Sequence, residues 1–568
     1  MLNKLKQILS NKQIYGLIIL VFLLLIGTIL ESFALLSLIP ILELILDKNN
    51  VQVFKTHIIE YTDLFQNLAY VDFVTLTCII IVFIYFFKSA YLTLLTFKQN
   101  SFLSNLNADL SKRLFENILK KEYLFFTEKN SSEIIKYFQV DLAYFGALCQ
   151  GFLSLFIEVL LSLSVILTVF FLEPNVALIS ASVIIPFSGL YLLFSKRYLN
   201  KIGNERTIID AKISKSIMEG VNGIKEIKIN NLEGYLINQL FKNENKRAKI
   251  LIRYNTLTQI PRNIFEFIAI LTIIVVIIYK VYANDSNPLL STLGIFVAAT
   301  FRLLPSVNRI ISSIQSISFF KGSFDIIYKL FNDINNSPKE VNFNKINFKS
   351  NLELVDLNFS YNNQTQILKN LNLKISKGDF IGFMGESGSG KSTLVNIILG
   401  LIQPNSGKIK IDDNQYKTLY KYKNFASYIP QDVFLFDESI SKNIVLDENK
   451  EFKNNTRLSD VIKKANLEKF ISQLPFGLDT KVGERGAKLS GGQIKRLAIA
   501  RALYSNPELL IFDEATSALD LKTENTFLEE ISLLKKTKTI IFISHSHQSL
   551  RNCDKIFKLE KGTLQRIK

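Results

Sequence analysis

Apolar residues run in six long blocks through the first 330 positions, roughly 14–46, 71–97, 143–172, 175–194, 256–282 and 288–320. Each block suffices for a helix crossing a bilayer, which needs about 20 apolar residues. The polar connections alternate between very short and very long. Blocks three and four are joined by 173–175 and blocks five and six by 283–287, whereas about 45 and about 60 residues separate blocks two from three and four from five. Basic residues concentrate in the long connections. Between 98 and 140 stand Lys98, Lys112, Arg113, Lys120, Lys121, Lys129 and Lys136, and between 195 and 255 there are thirteen more. The bias of basic loops toward the cytoplasm puts the N-terminus and both long connections on that side. These connections also read as helical, so the membrane helices are expected to continue into the cytosol.

The segment 51–68 carries Phe54, Ile58, Tyr61, Phe65 and Leu68 at spacings of 4, 3, 4 and 3. That is one apolar stripe on a short helix, too polar to span. It predicts a helix lying on the outer membrane surface or packed on its neighbours. Near 345 the pattern changes to strands alternating with helices. The expected organisation is an all-α membrane domain of six transmembrane helices over 1–345, then an α/β P-loop nucleotide-binding domain over 346–568.

Composition agrees with a membrane protein. Of 568 residues 48% are hydrophobic, and 67 Lys and Arg against 50 Asp and Glu give a formal net charge of +17. The basic residues spread over cytoplasmic loops without a compact stripe, so no nucleic-acid partner is expected. The three cysteines, Cys78, Cys149 and Cys553, have neither disulfide nor zinc spacing. The first apolar run is too long for a signal peptide and lacks a cleavage site, so it reads as a retained helix.

The chemistry starts at 385-GESGSGKS-392, which follows the apolar strand 380–384 and precedes a helical stretch. In this context G-x-x-x-x-G-K-S is a phosphate cradle. Backbone N–H groups of Gly385, Glu386, Ser387, Gly388, Ser389 and Gly390 wrap phosphate oxygens at a helix N-terminus, with Thr393 just inside that helix. Lys391 reaches the β- and γ-phosphates, and Ser392 ligates Mg²⁺. A second apolar strand, 509-LLIFDE-514, ends in Asp513, for the magnesium shell, and Glu514, to polarise the attacking water.

At 489-LSGGQ-493 the chain resembles the ATP-binding cassette (ABC) family. The resemblance implies further roles. Tyr361 stacks on adenine. Gln431, in 428-YIPQD-432, joins Mg²⁺ and couples to the membrane domain. Ser490, Gly491, Gly492 and Gln493 form the signature that caps the γ-phosphate from the opposite subunit. Asp520, in 517-SALD-520, belongs to the D-loop. His545, in 540-IIFISH-545, is the switch histidine, with His547 as its nearby rival. A signature acting in trans implies a dimer, and with every motif intact a homodimer. ATP and Mg²⁺ are the implied cofactors, and an exporter-type half-transporter of a bacterial inner membrane, with N-terminus and ATPase domain cytoplasmic, is the implied class.

Ionisable residues inside membrane segments are functional candidates by default. Lys88, Arg262, Arg302 and Arg309 qualify, and counting from the outer ends puts Lys88, Arg302 and Arg309 about 25, 20 and 30 Å deep. Ser306, Asn308, Ser312, Ser313, Gln315 and Ser316 make this half of the last segment polar, and Pro305 interrupts its hydrogen bonding. These features predict a basic, water-filled cavity, carrying eight cations in a dimer. The stretches 299-ATFRLLPSVNRIISS-313 and 261-PRNIFE-266, with the short outer helix, are similar to the bacterial flippase for lipid-linked oligosaccharides of protein N-glycosylation. That likeness implies ATP-driven flipping of an anionic polyprenyl-pyrophosphate-linked glycan from the inner to the outer leaflet, with the arginines on the pyrophosphate and Phe54, Ile58, Tyr61 and Phe65 of the outer helix as candidate contacts of the polyprenyl tail. Lys88 departs from it, since arginine would be expected there. The rival expectations are a lipid A or multidrug exporter and, in another class, a regulatory or assembly ATPase that moves nothing.

Overall fold

The computed structural model describes residues 1–37, 70–172, 174–283 and 289–335, and from 346 onward all but 347, 362–364, 413, 417–418, 420–424, 447–455, 517–520 and 536. The predicted outer helix, with Phe54, Ile58, Tyr61 and Phe65, lies outside the described residues, and the expected boundary at 345/346 adjoins another such stretch. The chain divides into two compact units, Met1–Lys121 with Phe126–Ser337, and Glu122–Phe125 with Pro338–Lys568.

The first unit is helical. A short α1 (Leu2–Ile8) precedes α2 (Asn11–Leu36) and the 50-residue α3 (Tyr70–Leu119). Two short helices, α4 (Tyr123–Glu128), whose first residues up to Phe125 belong to the second unit, and α5 (Ser131–Lys136), and a π-helical turn lead into α6 (Leu142–Leu172). Then come α7 (Pro174–Asn222), α8 (Ile224–Asn230), α9 (Glu233–Ala283) and α10 (Leu289–Asn335). Among the described residues four helical stretches are long and apolar enough to cross a membrane: Asn11–Ala34, Val74–Leu119, Ser131–Leu167 and Glu233–Val275. The fourth and sixth apolar blocks fall in α7 and α10. At 1.5 Å per residue, α3 is about 75 Å long, more than twice a hydrocarbon core of about 30 Å.

Polar residues tie these helices together. Pro261 inside α9 has no N–H to offer the carbonyl of Leu257 four residues earlier. That carbonyl instead accepts from Tyr191 Oη of α7 at 2.5 Å and Gln315 Nε2 of α10 at 3.2 Å. Phe265, Ile268 and Ile311 form the apolar core around this junction. The polar half of α10 therefore only partly faces a cavity. Ser306, Ser313 and Gln315 are buried against neighbouring helices, and α10 runs through Pro305 as one helix. Nearby, α7 and α10 approach so closely that a Cβ on Gly203 would sit 2.2 Å from the carbonyl oxygen of Phe319.

Further along, the guanidinium of fully buried Arg206 stacks 3.8 Å from the Tyr144 ring centroid. It also lies 3.5 Å from Asp210 and donates to Ser323 Oγ. The π turn Tyr137–Asp141 brings Lys136 to 3.1 Å from Asp141, a second buried pair. Burying charges is tolerable only with such partners.

The second unit is the α/β cassette. An antiparallel sheet of order β2-β1-β4-β5 comprises β1 (Asn351–Phe359), β2 (Leu368–Ser376), β4 (Ser406–Ile411) and β5 (Asn414–Tyr416). A larger sheet of order β10-β9-β3-β8-β7-β6 comprises β3 (Phe380–Met384), β6 (Ala426–Ile429), β7 (Leu509–Asp513), β8 (Thr539–Ile543), β9 (Lys555–Glu560) and β10 (Thr563–Arg566). It is parallel except at β10. Its central strands are apolar on both faces because helices and the smaller sheet cover them: β3 and β8 are buried at every position. The helices include α11 (Lys391–Ile398), α12 (Ile440–Val445), α13 (Thr456–Lys464), α14 (Glu468–Ser472), α15 (Gly491–Tyr504) and α16 (Leu521–Leu534). Asp412 locks the small sheet by accepting backbone N–H groups of Ser350 and Asn351 at 2.7 and 2.8 Å.

Candidate functional site

Parallel strands deliver the phosphate chemistry to one edge, where ligands bind in open α/β sheets. β3 ends at Met384, the chain turns through 385–390, and α11 starts at Lys391. Gly385 has φ 155° and a Cβ there would meet the Leu559 carbonyl oxygen at 2.5 Å; Gly390, at φ 105°, caps α11. Neither position accepts a side chain without strain. Lys391 Nζ donates to the carbonyls of Gly385 and Glu386 at 2.7 and 2.8 Å. Burial lowers its pKa, while Glu514 and Asp513 act in the opposite direction. The Ser389 hydroxyl is buried with no hydrogen-bond partner among the described residues. Glu386, Ser387, Gly388 and Ser392 are exposed, and Thr393 Oγ1 lies 3.3 Å from Tyr361 Oη. Tyr361 itself stands edge-on to Phe359 with half its surface open.

Across the sheet, β7 presents Asp513 and then Glu514. Tyr428 Oη donates to Asp513 Oδ2 at 2.8 Å. Burial raises the Asp513 pKa and Glu514 adds to this; the Tyr428 hydrogen bond opposes both. Glu514 has a left-handed backbone, φ 48°, in which its N–H reaches the Ile543 carbonyl at 3.0 Å. Such a conformation costs a non-glycine residue about 1–2 kcal/mol and clusters where function needs it. His545 Nε2 is 2.7 Å from Glu514 Oε1, so His545 rather than His547 stands against the expected base. Gln431 is exposed just past β6, and Asp520 lies outside the described residues.

Ser490 is the N-cap of α15. Its Oγ accepts from the N–H of Gln493 at 3.3 Å, and its own N–H donates to Gln493 Oε1 at 2.8 Å. The Gln493 side chain is thus engaged in a capping box rather than pointing outward. Among the described residues, outside the helix's own backbone and the chain neighbours, no atom lies within 4 Å of where a Cβ on Gly491 or Gly492 would stand. An open helix N-terminus of this kind suits an anion. The partnerless Ser389 hydroxyl, the cradle and the hard oxygens of Ser392 and Asp513 fit a magnesium-bound nucleoside triphosphate.

A second site lies among the membrane helices. A cleft of about 620 Å³ is lined by residues of α2, α3, α6 and α10. Lys88 and Arg309 are both in its lining. Each comes with a carboxylate: Lys88 Nζ is 2.9 Å from Glu31, and Arg309 Nε is 2.7 Å from Glu158. Arg262 does not line the cleft; it is exposed and pairs with Glu266 one turn along α9 at 3.2 Å. The side chain of Arg302 lies outside the described part of α10. Each described one of these cations has an acid beside it, which lowers the net charge they bring.

Comparison with known proteins agrees with this anatomy. Residues 368–517 match the ABC transporter family model and residues 17–304 match that of the ABC transporter transmembrane region. The chain belongs to the ABC transporter family. A Staphylococcus aureus (strain bovine RF122 / ET3-1) protein named for multidrug export, SAB1799c, is 30% identical over 80% of this chain and 79% of its own length. HepA, the heterocyst differentiation ATP-binding protein of Nostoc sp., is 30% identical over 81% and 76%. YgaD of Bacillus subtilis, also named for multidrug export, is 29% identical over 81% and 80%. A solved bacterial Atm1-family ABC exporter with ATP bound superposes with a TM-score of 0.78 at 20% identity, over 98% of this chain and 95% of that one.

As an ABC exporter half-transporter, the protein hydrolyses ATP with Mg²⁺ and couples this to export. Bound ATP and Mg²⁺ supply the phosphoanhydride bond and its charge neutralisation. With these groups bound, Lys391 would exchange its two carbonyls for phosphate oxygens, Ser392 and Asp513 would hold the metal, and Glu514, with His545 at 2.7 Å from its carboxylate, would polarise water. Half-transporters of this family typically dimerise. Sequence reasoning missed Glu31 and Glu158. Both were visible as acids inside apolar blocks, a signal that applies to acids as much as to bases.

Proposed function

We propose that the chain forms a homodimer in the inner membrane of a bacterium and flips a polyprenyl-pyrophosphate-linked oligosaccharide from the inner to the outer leaflet. The observation that carries this reading is the polar cleft between α2, α3, α6 and α10, with Lys88 and Arg309 in its wall. Ammonium and guanidinium groups together suit a phosphate-bearing headgroup, the guanidinium through paired hydrogen bonds. The homodimer rests on the cassette: a signature that acts in trans needs a second cassette, and all the described motif residues are intact.

A second reading has its own support. Two relatives are named for multidrug export, and Glu31 and Glu158 would suit a cationic compound. One assay separates the two. Proteoliposomes containing the transporter receive a fluorescent polyprenyl-pyrophosphate glycan, and its exposure on each leaflet is followed. The flippase reading expects ATP-dependent movement that Glu514→Gln abolishes. Movement of lipophilic cations with no movement of the glycan would replace it with the multidrug reading.

A further inference from the structure

The cleft charges are arranged in depth. Glu31 and Glu158 are 2% and 8% exposed, whereas Lys88 and Arg309 are 14% and 51% exposed. Each acid is more deeply buried than its cation, and all four side chains line the same cleft. Lys88 also lies 4.9 Å from the ring centroid of Tyr85, which steadies its head from another side. The contacts of 2.9 and 2.7 Å are those of charge-assisted hydrogen bonds, the strong kind. An anion entering the cleft therefore meets cations already paired with carboxylates.

We propose that Glu31 and Glu158 are specificity-determining residues acting as built-in competitors: an anionic headgroup binds Lys88 and Arg309 only by outcompeting them. This rests on the flippase reading and sharpens it. Membranes are full of phosphodiester lipids with one negative charge. Two uncompensated cations at the edge of a bilayer would collect such lipids, because nothing would oppose them. With a carboxylate already on each cation, one phosphodiester offers too little to displace both. A pyrophosphate carries negative charge on the oxygens of two linked phosphoryl groups and so brings more charge and more acceptors to the same cleft than one phosphodiester does. Discrimination then comes from the cost imposed on the wrong ligand as much as from attraction to the right one.

The test uses the full-length protein in nanodiscs. A short-chain prenyl pyrophosphate and a short-chain phosphatidylglycerol are titrated separately, and the ratio of their Kd values is read. For the native protein we expect the pyrophosphate to bind at least about tenfold tighter. In Glu158→Gln and in Glu31→Gln the phosphatidylglycerol gains more than the pyrophosphate, and the ratio falls about tenfold, equivalent to about 1.4 kcal/mol. Glu31→Gln strands a mostly buried lysine and can fail to fold, which size-exclusion elution would reveal. Glu158→Gln, beside half-exposed Arg309, then carries the test alone. An unchanged ratio in Glu158→Gln overturns the competitor role even if the glycan is flipped. Absence of binding of both probes by every variant overturns it as well. Loss of discrimination in the variants of a protein that flips no glycan sustains the competitor role and sinks the cargo.

Discussion

The nucleotide cradle and the membrane cleft both present a buried or half-buried lysine to an incoming ligand, but they hold it differently. In the cradle, Lys391 rests on two backbone carbonyls, neutral groups that release it without leaving a buried charge behind. In the cleft, Lys88 rests on Glu31, a carboxylate with almost no access to water. The first arrangement keeps a cation available for any triphosphate; the second withholds it from all but a stronger competitor. A site that must fire at every turnover is built on dipoles, and a site that must refuse abundant wrong ligands is built on counter-ions.

The strongest blow to the comparison is struck at the cradle. Glu514→Gln should lower kcat for ATP hydrolysis by about 10²–10⁴-fold, the usual worth of a general base, with nucleotide binding retained. An unchanged kcat would remove Glu514 from the role its strained backbone suggests. Lys88→Met tests the other side. It takes from buried Glu31 its ammonium partner and should destabilise the membrane unit by about 3–5 kcal/mol, seen as a lower thermal unfolding midpoint. Lys391→Met, whose partners are carbonyls, should leave that midpoint nearly unchanged while abolishing hydrolysis. Equal thermal losses in the two lysine variants would erase the distinction between dipoles and counter-ions.

Smaller effects refine the picture. Tyr428→Phe removes a hydrogen bond that favours ionised Asp513. The acid limb of the ATPase pH profile should therefore move to higher pH, because Asp513 then takes up its proton earlier on acidification. Its direct energetic effect is about 0.5–1.5 kcal/mol. Asp412 shows a third way of holding charge, by backbone donors. Although burial acts in the other direction, hydrogen bonds from Lys349, Ser350 and Asn351 lower its pKa from 3.8 to about 2. A carboxylate with a depressed folded value stabilises the fold above its ordinary value and loses that contribution as pH falls toward about 2. Asp412→Asn should flatten this part of the acid unfolding curve, followed by far-ultraviolet circular dichroism.

What could be read beforehand divides along the same line. The cassette motifs are local in sequence, because a cradle is made of consecutive backbone groups; from 385-GESGSGKS-392 and 509-LLIFDE-514 the strand, turn, helix and acids follow. The long helices were legible from apolar blocks that continue into basic ones. The counter-ions were not, because Glu31 and Lys88 are 57 positions apart and no spacing rule links them. For the same reason nothing in the sequence joins Tyr191, Leu257 and Gln315, although the gap opened by Pro261 requires some such donors. Ser306, Ser313 and Gln315 read as cavity lining because periodicity reports polarity and not which neighbour meets it.

The length of α3 has a mechanical meaning. A rigid rod of about 75 Å that tilts by about 5° carries its far end through about 6–7 Å, more than the width of a phosphate group. Leverage of this kind lets a modest rotation of long helices open or shut a passage for a headgroup without breaking a single turn of helix.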